Sequence, residues 1–468
     1  MKIKPPQPHI PENNPFAEDA LGREQSAKAL TQLISTIDEP FVLAIDSTWG
    51  TGKTTFLKMW LQALRNDGYP CLYFNAWEND FSDDPLVSLI GELELGFDSI
   101  VLDSKKKIKA REHFLKAKKL GAVLVKRSIP AAIKIVTAGV IDADKVSEEI
   151  LMNLSEKLAN DMIEKYEKDK STILGFKERL RDFVKELARP EGYEDTKPLI
   201  LFIDELDRCR PTYALELLEK AKHFFNIEGI VFVLAIDKQQ IGHSIKSVYG
   251  IGMDVNGYLR RFIDLDYHLP EPKSGTFCNA LFNKFGFDDY FKSRAQRGYD
   301  HDSEQLLDVL SKLFTIFGFS LRVQEQCFSR LSIVFRTTPP NSPLHPVFLS
   351  ALIVLKVANP ELYADYVRKT ANAEEVLRYI REASVDKAFP DGKYDMNLEA
   401  YFVYGQCSWQ NINSVIAEYQ RKTEDENLSE TQRNIAGEII GIMKSFRPDW
   451  GILSNLANKI EMAENFLS

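Results

Sequence analysis

"FVLAIDSTWGTGKTTFLKMWLQALRNDG", from Phe41 to Gly68, decides how the rest of the chain is read. Phe41 to Ile45 form an apolar run of the kind that fills a strand buried on both faces of a parallel sheet. Beyond Asp46 come a turn carrying Gly50 and Gly52, then Lys53 and Thr54, then apolar residues at helical spacing that stop at Gly68. Strand, glycine turn, GK[ST] and helix together predict a phosphate-binding loop. Backbone N–H groups of the turn and of the helix N-terminus point at phosphate oxygens, and the helix dipole favours the negative charge. Lys53 is then placed to neutralise the β- and γ-phosphates, and the Thr54 hydroxyl to ligate Mg2+. The expected nucleotide contacts are Ser47, Trp49, Gly50, Thr51, Gly52, Lys53, Thr54 and Thr55.

Ser47 stands where the first glycine of such loops is usual. A positive φ there would cost a non-glycine residue about 1–2 kcal/mol. The alternative is a slightly different turn, and a third reading is a loop that has lost its ligand.

A second apolar strand, Leu199 to Ile203, ends in Asp204 and Glu205 within "LILFIDELDRCRP". A carboxylate at the end of a core strand beside a phosphate loop can hold Mg2+ through water, and an adjacent glutamate can orient or deprotonate the attacking water. Asp204 is therefore assigned to the metal and Glu205 to the water, with Asp207 as the reserve base. The plainer alternative is a surface acidic turn. A third strand, Ile230 to Ile236, ends in Asp237, which either contacts the γ-phosphate side of the site or caps the next helix. "IDKQ" is not the N-K-x-D turn of guanine readers, so adenine is favoured. Arg260 and Arg261 precede a further strand, where Arg261 could reach a neighbour's γ-phosphate or be simply solvated. Arg322 follows a helix-capping Ser320. A cation in a first turn wants an anion, either a phosphate or a carboxylate.

With these residues laid out, the chain resembles the KAP family of P-loop NTPases, themselves similar to AAA+ and related signal-transduction (STAND-like) ATPases. "DALGREQSAKAL" (Asp19 to Leu30), "WGTGKTTFL", "YFNAWEND" (Tyr73 to Asp80), "IDELDRCRP", "YLRRFIDLDYHLP" and "SLRVQEQ" carry the resemblance over roughly residues 15 to 350. Ser47 departs from the family pattern, and Glu205 replaces a common second aspartate. The resemblance implies ATP with Mg2+ beside a helical lid, and places Gly22 and Arg23 near the adenine. It also sets "FNAWEND" near the active site, with Trp77 expected in the core.

Asp204 follows Lys53 by 151 residues, about a hundred more than a compact core needs. Within that surplus, Lys105 to Lys134 holds eleven Lys or Arg against Glu112 alone. Many KAP relatives carry membrane-spanning helices here, but Lys126, Arg127 and Lys134 interrupt this run, each costing about 2.5–3.5 kcal/mol near a bilayer centre. A basic amphipathic helix lying on anionic membrane, nucleic acid or a partner fits the pattern better. A helical hairpin packed on its own domain fits it equally.

The expected organisation is a flexible arm (1–14), an NTPase core in two parts (15–95 and 197–270), a helical basic insert (96–196), a helical lid (271–335) and a C-terminal helical domain (347–468). The fold class is α/β, a P-loop parallel sheet with an all-α C-terminal region. The chain has 468 residues, enough for two or three domains. A net charge of -9 argues against whole-protein attraction to nucleic acid or lipid. Five scattered cysteines and a polar, proline-rich start suit a reducing, cytoplasmic setting, with attachment to the inner face of the membrane kept open. The seven histidines form no zinc motif.

The leading expectation is an ATP-hydrolysing conformational or assembly switch, with mobile-element or phage-related roles implied by the resemblance. Its partners would be a second copy or another protein, met through the insert or the C-terminal domain. Two rivals stand beside it. One is a non-hydrolysing, nucleotide-bound scaffold or membrane-surface adaptor, and the other a nucleic-acid-dependent ATPase.

Overall fold

The computed structural model describes the chain apart from residues 5–8, 38, 101–103, 128–147, 188–196, 272–273, 385–391, 447–450 and 468. It divides into two compact units, His9–Pro270 and a second made of Met1–Pro8 with Glu271–Ser468.

The first unit is built on a five-stranded sheet of β1 (Phe41–Asp46), β2 (Cys71–Asn75), β3 (Leu199–Asp204), β4 (Ile230–Ile236) and β5 (Leu265–His268). The strand order is β2-β3-β4-β1-β5, and every neighbouring pair is parallel. Each strand therefore returns through a crossover that lays helices on a face, as the continuous apolar runs require.

The pleat separates two cores. Leu43, Ile45, Ile200, Phe202, Val231, Val233 and Ala235 point to one side, where α1 (Glu24–Ile34) and α2 (Lys53–Asn66) cover them with Leu30, Phe56 and Trp60. Val42, Ala44, Leu201, Ile203, Phe232 and Leu234 point to the other. That side is covered by α3 (Pro85–Ile100), α4 (Ser104–Arg127), α5 (Glu148–Leu187), α6 (Pro211–Phe225), α7 (Lys238–Tyr249) and the short α8 (Val255–Leu259).

The insert is thus in part a helical hairpin on its own domain. Ala110, Phe114 and Ala117 of α4 and Phe176, Leu180, Phe183 and Val184 of α5 are buried in the same core as the sheet residues. Phe183 sits 5.9 Å from Phe97 and 5.5 Å from Phe114, ring centroid to centroid. Of the basic run, 128–147 lies outside the described residues, as do the side chains of Lys105 to Lys107. Among the described residues no helix is long and apolar enough to cross a membrane.

The second unit is helical in its described residues. It begins with α9 (Ser274–Phe285), α10 (Asp288–Ala295), α11 (Asp302–Ile316) and α12 (Leu321–Arg336), then a non-helical stretch up to α13 (Pro346–Ala358), with further helices ending at Leu467. The segments expected as lid and as C-terminal domain thus fall in one unit. Of the expected flexible arm, Met1 to Lys4 belong to this unit. Lys2 N–H donates to the Phe285 carbonyl at 2.7 Å, where α9 ends with carbonyls that lack helical partners. The Ser332 hydroxyl donates to the Lys2 carbonyl at 2.6 Å, and Arg336 to that of Met1.

Candidate nucleotide site

The C-terminal ends of β2, β3, β4 and β1 lie side by side, the crevice where open parallel sheets receive ligands. From β1 the chain turns through Gly50 (φ 77°) and Gly52 (φ 84°), both in the left-handed region that the glycines permit. Ser47 is not among the positive-φ residues, so the expected strain does not arise. Its N–H donates to the Ile236 carbonyl at 3.2 Å, and its hydroxyl meets that of Thr51, which also reaches the Thr48 carbonyl at 2.9 Å. Serine closes the turn from within.

Lys53 opens α2, is only 9% exposed, and donates from Nζ to the Ser47 carbonyl at 2.6 Å. Burial lowers its ammonium pKa, while Asp207, Asp237, Asp204 and Asp46 pull it back up. Four carboxylates thus bear on one buried cation. Thr54 and Thr55 follow it half-buried in the first turn.

Asp204 ends β3 almost fully buried, opposite Asn75 in the β2–β3 register. Its Oδ2 accepts the Tyr73 hydroxyl at 2.8 Å, and its Oδ1 accepts the Glu205 N–H at 2.8 Å. Glu205 is held at φ 59° and ψ 25°, left-handed for a residue with a side chain, at a cost of about 1–2 kcal/mol. Its Oε1 pairs with Arg208 Nη1 at 2.8 Å, and the Arg208 guanidinium lies 5.9 Å from the Trp77 ring centre. Burial raises the Glu205 carboxyl above the ordinary glutamate value, Arg208 opposes that, and Asp204 adds to it. Asp207, in the 3-10 turn Leu206–Arg208, is buried and accepts the Trp49 indole N–H.

Asp237 caps the next helix, accepting from the backbone N–H of Gln239 and Gln240 at 3.0 and 3.3 Å, and its charge also acts on Lys53. Gly22 has φ 66°, and Arg23 beside it is 3% exposed. The Arg23 backbone N–H bonds Asp19, its Nη2 donates to the Pro270 carbonyl at 3.2 Å, and its buried Nε and Nη1 have no hydrogen-bond partner. Burial lowers its pKa to about 10.

The structure does not bring Arg260 or Arg261 to this cluster. Both are exposed, with Arg261 close enough to Tyr249 to act on its hydroxyl. Arg322 lies in the first turn of α12 in the other unit, and Ser320 caps that helix through Val323 N–H at 3.4 Å. One expectation fails: Trp77 is 54% exposed rather than in the core. It follows a β2 end whose last residue, Asn75, accepts its backbone N–H at 3.1 Å, turning the ring outward.

The sequence reading missed Tyr73, Arg208 and Asp46. Tyr73 could have been found, since alternation along "CLYFN" puts its hydroxyl at the sheet end beside Asp204. Arg208 could not, because its role depends on the left-handed turn at Glu205.

Chemically, one buried lysine among carboxylates at a glycine turn suits a polyanion that brings its own divalent cation. The KAP family P-loop domain matches residues 23–335. Over 171 residues, 35% of this chain, the sequence is 24% identical to the Phage T7 exclusion protein of Escherichia coli (strain K12), of whose length the match spans only 22%. The Aeropyrum pernix ORC2 protein, solved in ADPNP–ADP complexes, aligns over 91% of this chain and 95% of its own at 12% identity and a TM-score of 0.27, a likeness too loose to argue from. With the family's domain spanning both strand-end motifs and the glycine turn, the chain belongs to the KAP family of P-loop NTPases.

Proposed function

We propose that this chain binds ATP with Mg2+ at the Gly50–Thr54 turn and hydrolyses it, using the cycle as a conformational or assembly switch. The observation that supports this best is Lys53, buried at the start of α2 with four carboxylates acting on it. Such a cluster is balanced when phosphate and a divalent cation enter together. The oxygen donors suit Mg2+, a hard cation that keeps several waters and takes one or two protein ligands beside phosphate oxygens. Among the described residues no group of three His, Cys, Asp or Glu could hold a metal alone, so binding would depend on the nucleotide. Thr54 and Asp204 would hold the ion, which supplies charge neutralisation on the phosphates.

Glu205 would orient the attacking water once its pairing with Arg208 gives way. Gly22 and Arg23 would face the base, the unpartnered Arg23 nitrogens offering donors there. Arg261 would act only on a neighbour's phosphates, and Arg322 from the helical unit. The partial likeness to an exclusion protein supports a role against phage.

Calorimetric titration with ATP and Mg2+ tests the site. Lys53→Ala should weaken binding by at least about tenfold, the loss of one charged hydrogen bond. Glu205→Gln should keep binding and lose roughly 10²–10⁴-fold in phosphate release. Steady turnover in Glu205→Gln would remove that residue from the mechanism, and the absence of any turnover in the wild type would favour a nucleotide-bound scaffold.

A further inference from the structure

Asp207 was the reserve candidate for the base, and its surroundings point elsewhere. Its carboxylate accepts the Trp49 indole N–H, and the backbone N–H groups of Asp207 and Asp237 lie near enough to favour its charged form. It also faces the Lys53 ammonium. A carboxylate has about four lone-pair sites. With the indole N–H bonded to it, backbone N–H groups nearby and the Lys53 cation acting on it, this one is a poor holder of a water. What it does hold is structure: Trp49 belongs to the phosphate turn and Asp207 to the turn after β3. The Trp49 ring is 46% exposed although its N–H points inward, so the residue bridges the mouth of the site and its floor.

We infer that Asp207 is a positioning residue, which pins the phosphate-binding turn through Trp49 so that Gly50, Gly52 and Lys53 are already arranged when the nucleotide arrives. This rests on the reading of Gly50–Thr54 as the nucleotide turn and deepens it. Preorganisation of this kind raises affinity by removing an ordering cost from the binding step. The half-exposed indole at the site's mouth also makes Trp49 a reporter.

The test uses the full chain with a non-hydrolysable ATP analogue and Mg2+, following affinity by calorimetry and binding by tryptophan emission. Trp49→Phe and Asp207→Ala should each weaken binding about tenfold, equivalent to ~1.4 kcal/mol. The double variant should be no weaker than either single one, because the two changes remove one shared bond. Asp207→Asn, whose amide oxygen still accepts the indole N–H, should restore most of the affinity lost in Asp207→Ala. With ATP itself in place of the analogue, its saturated turnover should fall far less than that of Glu205→Gln. The emission change on binding should be present in the wild type and absent in Trp49→Phe.

Penalties that multiply to about a hundredfold in the double variant would overturn the pairing. So would an Asp207→Asn protein that binds normally and no longer turns over, which would make Asp207 the base. If Asp207→Ala does not fold, Trp49→Phe and Asp207→Asn still decide between the two roles. Normal affinity in Lys53→Ala would instead bring down the nucleotide-turn reading, a different failure from any shown by the Asp207 series.

Discussion

Glu205 combines a disfavoured backbone with an occupied side chain. Its left-handed φ of 59° turns the carboxylate towards Arg208, which binds it at 2.8 Å with 33% of the arginine side chain exposed. A carboxylate oxygen engaged by a guanidinium is a weaker hydrogen-bond acceptor for water, so the pairing opposes the role proposed for Glu205. On that reading, Arg208→Gln should raise saturated phosphate release several-fold, from loss of a contact worth about 1–2 kcal/mol, while nucleotide affinity changes little. Turnover that drops in step with thermal stability would make Arg208 a brace for the turn instead. Ser47 teaches the complementary lesson. The sequence flags it as a defect, but the need for glycine falls on Gly50 and Gly52, and a serine hydroxyl can close the turn from inside.

Among the elements, β1, β3 and β4 and their ends were legible because apolar runs of five to seven residues followed by carboxylates leave few alternatives. The insert was half legible. Helical spacing at Ala110, Phe114 and Ala117 is plain, but a stripe does not say what it packs on, and the lysines between these positions fit a solvated face as well as a binding one. Trp77 departs from its expected core position because the turn after Asn75, which no side-chain pattern announces, decides its direction. The hairpin's contribution can be weighed at Phe183, fully buried between Phe97, Phe114 and the sheet side of the core. Phe183→Ala should cost about 3–5 kcal/mol, seen as a lower urea midpoint. A loss below about 1 kcal/mol would mean that α4 and α5 dock loosely and that the hairpin is free for other partners.

For the whole molecule, the family match from 23 to 335 runs past the boundary at Pro270 and takes in the first helices of the second unit. The P-loop domain, as the family defines it, is therefore not the same object as the compact unit that carries the sheet. That the helices on either side of residues 336–346 share one unit was not legible in the sequence. Proline-rich "RTTPPNSPLHP" looks like a border between domains, yet it lies inside one unit, since punctuation marks where a helix stops and not where contacts thin out. Deleting residues 1–4 should lower the melting temperature of the full chain by a few degrees, because it removes hydrogen bonds to Phe285, Ser332 and Arg336 worth about 1 kcal/mol each. An unchanged melting curve would show these contacts to be idle.

Those first residues set a rule for cutting the protein apart. A fragment that starts at Glu271 forfeits the hydrogen bonds made by Met1 and Lys2, so α9 would end on a bare carbonyl and Ser332 would lose its acceptor. The helical half is better made with Met1 to Lys4 supplied as a separate peptide.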